Sequence, residues 1–235
     1  MKKTVFITGC NGTLGVKLVQ HFLKKKFFVI GTSRKVQTKI KKSKNFLNYK
    51  LNLEKNSNLL NIINDLKKKK IKIDILINNA ATPAGSLVEM TSIQNLKKVF
   101  EINFFSQIRL VQNLLRFLKK SKNASIINIG SISALEPEKG FLAYGASKSA
   151  LIYATRVMAI EFKRYNIRVN ALAPSVFKSK MAKKMDLRIM EKLIKKSKNN
   201  KLLDVNTIVR YVDFINSNKS KNLNGKILKI KKNNS

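Results

Sequence analysis

The sequence predicts an α/β fold, a doubly wound parallel sheet of about seven strands with helices on both faces. Three observations carry this expectation. Short apolar runs rich in Val, Ile and Phe alternate along the whole chain with longer segments of helical spacing, the signature of repeated strand-helix-strand units. A glycine-rich turn, Thr8-Gly9-Cys10-Asn11-Gly12-Thr13-Leu14-Gly15, falls between the first apolar run and the first helical segment. No internal repeat and no Pro/Gly/Ser linker interrupts the pattern, so residues 1–235 are expected to form one domain.

The first strand is placed at Thr4–Thr8. Its basic start and apolar run resemble a signal peptide, but the run ends after four residues at the glycine turn. Further strands are expected at Phe27–Gly31, Phe46–Leu51, Ile73–Asn78, Ser125–Gly130, Ile167–Leu172 and Lys226–Ile230. Between them the apolar spacing predicts helices over Leu14–Lys25, Asn56–Lys69, Ile93–Lys119 and Tyr144–Tyr165, with a looser pair inside Met181–Asn216. The two longest are expected to flank the middle of the sheet. Lys195–Lys201 is polar and is expected to be a surface loop, and Lys231–Ser235 to fray.

Composition bounds the function. A chain of 235 residues with 44% hydrophobic residues can build one core, which disfavours disordered, collagen-like and low-complexity classes. Cys10 is the single cysteine, so a disulfide framework and a multi-cysteine metal site are excluded, no metal is expected, and a reducing, cytoplasmic setting fits. No stretch reaches the roughly 18 apolar residues of a membrane span. The balance of 49 Lys and Arg against 12 Asp and Glu gives a net charge of +37. Two explanations stay open: a bias toward Lys and Asn throughout the sequence, or a basic surface for an acidic partner. The lysine runs form no single block, and no recognisable nucleic-acid motif is present, so nucleic acid is not the expected partner.

The glycine turn stands where a dinucleotide-phosphate loop of a Rossmann-type sheet stands. Its glycines permit positive φ and a close backbone approach, and the positive end of the first helix meets the pyrophosphate. Gly9, Asn11, Gly12, Thr13, Leu14 and Gly15 are therefore candidate cofactor contacts. After the second strand the chain reads Gly31-Thr32-Ser33-Arg34-Lys35. An acid there would accept from a ribose 2′-hydroxyl, whereas Arg34 and Ser33 suit a 2′-phosphate. NADP is expected over NAD.

Tyr144-Gly145-Ala146-Ser147-Lys148 opens a helix, which puts Tyr144 and Lys148 on one face. Ser131 follows the strand predicted at Ser125–Gly130, at the sheet end where such folds bind ligands. A phenol of ordinary pKa near 10 is a poor acid-base group at neutral pH. An adjacent ammonium, together with the positive charge of an oxidised nicotinamide, is expected to lower it. Tyr144, Lys148, Ser131 and Asn103 in Glu-Ile-Asn-Phe, with Asn78-Asn79-Ala80-Ala81 and Arg168-Val169-Asn170-Ala171-Leu172-Ala173-Pro174-Ser175, make the sequence similar to the short-chain dehydrogenase/reductase family, in its compact single-domain branch.

That resemblance implies an oxidoreductase acting between a carbonyl and an alcohol. By it, Tyr144 is the general acid in reduction, Ser131 holds the substrate oxygen, Lys148 holds the ribose and lowers the phenol, and Asn103 anchors a water leading to Lys148. It adds Asn52, Leu53, Asn79, Ala80, Ala81, Pro174, Ser175 and Val176 to the cofactor contacts. Thr13, Asn52 and Ser175 depart from the usual pattern, and the loop spacing is that of the family's extended branch, which includes nucleotide-sugar epimerases. The expected substrate is a small or carrier-bound carbonyl compound, with 3-oxoacyl carrier-protein reduction allowed. Alternatives are an epimerase or dehydratase, or a non-catalytic dinucleotide-binding protein with a regulatory or nucleic-acid role. A homodimer or homotetramer is expected through Ile93–Lys119 and Tyr144–Tyr165, where Phe104, Phe105, Val157 and Ile160 face either a second subunit or the chain's own sheet.

Overall fold

A computed structural model describes residues 2–36, 40, 43–55, 58–179, 182 and 202–231. Its strands are β1 (Thr4–Thr8), β2 (Phe28–Ser33), β3 (Phe46–Lys50), β4 (Ile75–Asn78), β5 (Ala124–Ile129), β6 (Ile167–Pro174) and β7 (Ile227–Ile230). They form one sheet in the order β3-β2-β1-β4-β5-β6-β7, with every pairing parallel. The described helices are α1 (Thr13–Lys24), α2 (Leu59–Lys68), α3 (Ile93–Phe100), α4 (Ser106–Leu118), α5 (Leu142–Glu161) and α6 (Val205–Ile215).

The strands are apolar on both sides because helices cover both sides. In β1, Val5 and Ile7 pack with α1 and α6 through Leu18, Val19, Ile208 and Val212. Phe6, between them, points the other way into a core built with α2, α4 and α5 through Ile62, Leu110 and Met158. This is the doubly wound architecture expected. The strand order reverses between β1 and β4, and the crevice there, at the carboxyl edge, is where such sheets bind ligands.

Several expected boundaries shift for local reasons. β2 runs to Ser33 rather than Gly31, because β3 pairs with it as far as Ser33↔Lys50. β6 continues through Pro174, where Ser175 supplies the N–H to Ile230 O at 2.9 Å that proline lacks. The expected helix Ile93–Lys119 is broken by a π turn at Glu101–Phe105. The first helix of the pair expected inside Met181–Asn216, the loop Lys195–Lys201 and residues 232–235 of the C-terminus lie outside the described residues. Phe105 and Ile160 are exposed and Phe104 and Val157 half-buried, so none of the four is wholly turned into the subunit's own core.

The Arg168-Val169-Asn170 stretch holds the C-terminal strand. Arg168 donates to the carbonyls of Ile215 (2.9 Å), Leu223 (3.1 Å) and Ser220 (3.3 Å). Buried Asn170 donates to Leu223 O at 2.9 Å and accepts from Lys226 N at 3.0 Å. Asn170→Ala strips both bonds and leaves their backbone partners unpaired, which is expected to cost about 3 kcal/mol. A lowered urea midpoint at unchanged m-value would show it.

Candidate active site

Ser131, Tyr144, Lys148 and Asn103 are held near one another beyond the carboxyl end of β5, each by a different local device. Ser131 caps the turn Ile132–Ala134, its hydroxyl accepting from Ser133 N at 3.2 Å. That turn is locked to α5. A Cβ on Gly145 would stand 2.8 Å from Ser133 O, so only glycine allows the approach, and Ser149 Oγ donates to Ala134 O at 2.8 Å. This brings the Ser131 hydroxyl close enough to the Tyr144 phenol to act on its titration. One helical turn on, buried Lys148 donates to Ile129 O at 2.7 Å, its Nζ 6.0 Å from the centre of the Tyr144 ring.

Burial governs the electrostatics. It brings the Lys148 ammonium down to about 8. It also pushes the Tyr144 phenol above its ordinary range, against the opposing pull of Ser131. Tyr144 retains some accessible surface, yet its surroundings are dense enough for desolvation to dominate. The expectation of a lowered phenol is thus reversed in the chain by itself. Lys148 gives its hydrogen bond to a backbone carbonyl, and desolvation outweighs its field.

Asn103 sits in the π turn, a feature often found at functional sites. There the Ile102 carbonyl is taken by Ser106 Oγ at 2.8 Å and Gln107 Nε2 at 3.1 Å. Asn103 Oδ1 accepts from Thr82 N at 2.8 Å, and its Nδ2 donates to Thr82 O at 3.0 Å and Ser147 Oγ at 3.1 Å. Both amide hydrogens are engaged, so the side chain braces the loop after β4 against α5. A link toward Lys148 would have to start from the Asn103 backbone instead.

The glycine loop closes the other side of the crevice. Gly9 adopts φ +66°, and a Cβ on Gly15 would lie 2.1 Å from Gly9 O, so helix and loop touch through bare backbone. Gly12 caps α1 without a side-chain bond, and the first turn, Thr13-Leu14-Gly15, carries no acid. This leaves the positive helix end suited to an anion, which fits a dinucleotide pyrophosphate. Asn11 Nδ2 (2.6 Å) and Ser33 Oγ both donate to Lys35 O, fixing the turn from which Arg34 projects, exposed. Burial raises the Cys10 thiol to about 11, which makes it a packing group beneath Gly31 rather than a nucleophile.

Asn79 and Ala80 reach the same crevice through Thr8. Its hydroxyl accepts from both their N–H groups at 2.9 Å, and Asn79 Nδ2 returns a bond to Thr8 O at 2.8 Å. Ala81 follows, half-buried. Asn52 Oδ1 caps its own turn by accepting from Glu54 N at 3.1 Å, and Leu53 is buried behind it. Pro174, Ser175 and Val176 leave β6 at the same edge, Val176 O accepting from Leu203 N at 2.9 Å. A cleft of about 620 Å³ lies beside the site, between residues 87–89, residues 133–142 and the start of α5; Ser131, Tyr144 and Lys148 do not line it.

Sequence reasoning passed over Thr8, Thr82, Ser147 and Gln107 as site residues. Gln107 Nε2 also donates to Ala80 O at 3.1 Å, tying the β4 loop to the π turn. A signal for it existed: Asn103 and Gln107 continue the buried stripe of Leu110 and Leu114, where polar residues require partners.

A parallel sheet with a glycine-rich first crossover and a Ser, Tyr and Lys set beyond β5 defines the class of dinucleotide-binding α/β folds. The chain belongs to the short-chain dehydrogenase family, whose model matches residues 3–189. It is an oxidoreductase of that NAD(P)-dependent family. It is 30% identical over 234 residues to a 3-oxoacyl-[acyl-carrier-protein] reductase of Buchnera aphidicola subsp. Acyrthosiphon pisum, covering 97% of this chain and 96% of that one. Among solved structures, 4-hydroxyisoleucine dehydrogenase complexed with NADH has a TM-score of 0.89 at 28% identity, over 98% of this chain and 97% of that one. ElxO with NADP bound has a TM-score of 0.86 at 27% identity over the same shares.

Lys148 also links stability to pH. Its folded value near 8 lies below the ordinary 10.5, so holding it charged opposes folding at neutral pH, and the penalty is relieved as pH rises from 8 toward 10.5. Between pH 7 and 10, wild-type stability is expected to gain about 2–3 kcal/mol relative to Lys148→Met. Urea unfolding of both proteins at each pH checks the sign.

Proposed function

We propose that the protein is an NADP-dependent carbonyl reductase, with 3-oxoacyl thioesters on a carrier protein as the favoured substrate class. The observation that carries the reading is the Ser131 and Tyr144 hydroxyl pair beside buried Lys148 at the crevice. Two neighbouring hydroxyls at one end of the crevice can both meet one carbonyl oxygen. Ser131 would orient that oxygen and Tyr144 would deliver the proton to it, leaving an alcohol. The nicotinamide, when bound, supplies the hydride. Lys148 would hold the ribose and, as the nearby cation, favour the phenolate left behind. Asn103 and Gln107 would keep the β4 loop, with Asn79, Ala80 and Ala81, at a fixed distance from α5.

Preference for NADP rests on Arg34. It projects at the end of β2 from a turn with no carboxylate, in the place where a 2′-phosphate needs a partner. Solved relatives hold NADH in one case and NADP in another, so the residue rather than the likeness supports the choice. The carrier-protein substrate draws on the reductase of Buchnera aphidicola. A homodimer through the outer faces of the π turn with α4 and of α5, where Phe105, Tyr153 and Ile160 are exposed, and a cytoplasmic site of action complete the proposal.

Two measurements test it. Fluorescence titration is expected to show NADPH binding at least tenfold tighter than NADH, with Arg34→Ala losing that margin and leaving NADH within twofold. Tighter NADH binding would reverse the assignment. With NADPH and a 3-oxoacyl thioester, Tyr144→Phe is expected to lower kcat by about 10²- to 10⁴-fold while cofactor binding persists. Wild-type inactivity on every carrier-bound substrate would remove the substrate class.

A further inference from the structure

Of the 49 Lys and Arg, the site just described uses only Arg34 and Lys148. In the sequence the cations look scattered, but the topology collects them. Since all strands are parallel, every segment that enters a strand lies at the amino edge of the sheet, opposite the crevice. The entering segments 2–3, 25–27, 43–45, 69–74, 119–123, 162–166 and 216–226 contain sixteen Lys or Arg and one carboxylate. That carboxylate, Asp74, is buried and engaged by Thr4 N at 2.8 Å, Ser121 Oγ at 2.6 Å and Lys72 at 3.2 Å. At the carboxyl edge the connecting segments hold five cations and five acids among the described residues, and twelve further cations of those connections, at 39, 41, 42, 180 and within 183–201, lie outside them.

Helix dipoles do not explain this edge. They favour a cation or two in a last turn, whereas Lys2 and Lys3 follow no helix and Lys219, Lys221 and Lys226 lie beyond the end of α6. Most of the cations are presented rather than neutralised: fifteen of the sixteen are exposed, Lys72 being half-buried, while Lys25 and Lys69 pair with Asp213 and Asp65 on the adjoining helices and Lys72 with Asp74. Tyr165 orders two neighbours, with Lys119 Nζ 3.6 Å and the Arg164 guanidinium 4.8 Å from its ring centre. Seven strands at roughly 4.8 Å spacing make the edge about 29 Å long, the rise of eight or nine base pairs.

We propose that the amino edge docks nucleic acid through its phosphate backbone, a second activity separate from the crevice. Compact lysine ammoniums in a row suit phosphates rather than base edges, so the binding is sequence-independent and salt-sensitive. A carrier protein delivering substrate is a poor occupant, because its cargo must reach the opposite edge. The proposal does not depend on the reductase reading.

The test is fluorescence anisotropy of a labelled 20-base-pair duplex with the full chain between 50 and 200 mM KCl. Two triple variants of equal net charge are compared: Lys122→Glu with Lys163→Glu and Lys221→Glu at the amino edge, and Lys55→Glu with Lys139→Glu and Lys178→Glu at the other. The first is expected to weaken binding at least tenfold and reduce the log-log salt slope by about 3, with the circular dichroism spectrum and thermal midpoint retained. The second is expected to change affinity less than threefold. Equal weakening by both triples would reduce the effect to overall charge and overturn the proposal, as would no duplex binding at 100 mM KCl. Tighter binding to phosphatidylserine vesicles than to duplex at equal phosphate would reassign the edge to membranes.

Discussion

Every strand of the sheet points the same way, and the rest of the molecule follows from that constraint. Parallel pairing forces each connection to return over a face, so the apolar runs need covering on both sides and the chain supplies α1 and α6 on one, α2, α4 and α5 on the other. It also sorts the loops. Loops that leave strands gather at one edge and contain the glycine turn, Asn79, Ser131 and Pro174. Loops that enter strands gather at the other and contain most of the described lysines. Among the described residues the candidate site and the basic amino edge stand apart by the length of the strands.

Within the crevice the governing quantity is desolvation. A lysine brought down to about 8 and a phenol pushed up are two groups whose charged forms the fold disfavours. Both are kept by the same structure that penalises them: α5 is pinned to the turn after β5 by Gly145 and Ser149, and Lys148 is held by Ile129 O.

Much of this was legible in the sequence, and the failures have definite causes. Periodicity found the strands and the doubly wound class, since apolar runs of four to six residues leave few alternatives. It missed the π turn because one extra residue in a helix barely disturbs a 3.6-residue pattern. Tyr144, Lys148, Ser131 and Asn103 could be picked out by spacing, but the direction of the phenol shift could not, because burial is a property of packing. The Arg168 and Asn170 side chains, in a stretch matched to the cofactor side of the family, serve the C-terminal strand instead. The lysines looked dispersed because adjacency at a sheet edge depends on strand order, which no local window contains.

The π turn has a consequence for how this chain can change over time. A single residue deleted between Glu101 and Phe105 would restore regular α-helical bonding through Ile102 O, and would rotate everything after it by about 100° relative to α3. Asn103 and Gln107 would leave the β4 loop, and Leu110 and Leu114 would leave the core. Exposed Phe105 can be exchanged without touching these contacts, whereas a change in the length of the stretch cannot be absorbed. The residue count of the segment is therefore expected to be constrained along with Asn103, and the outward-facing positions less so.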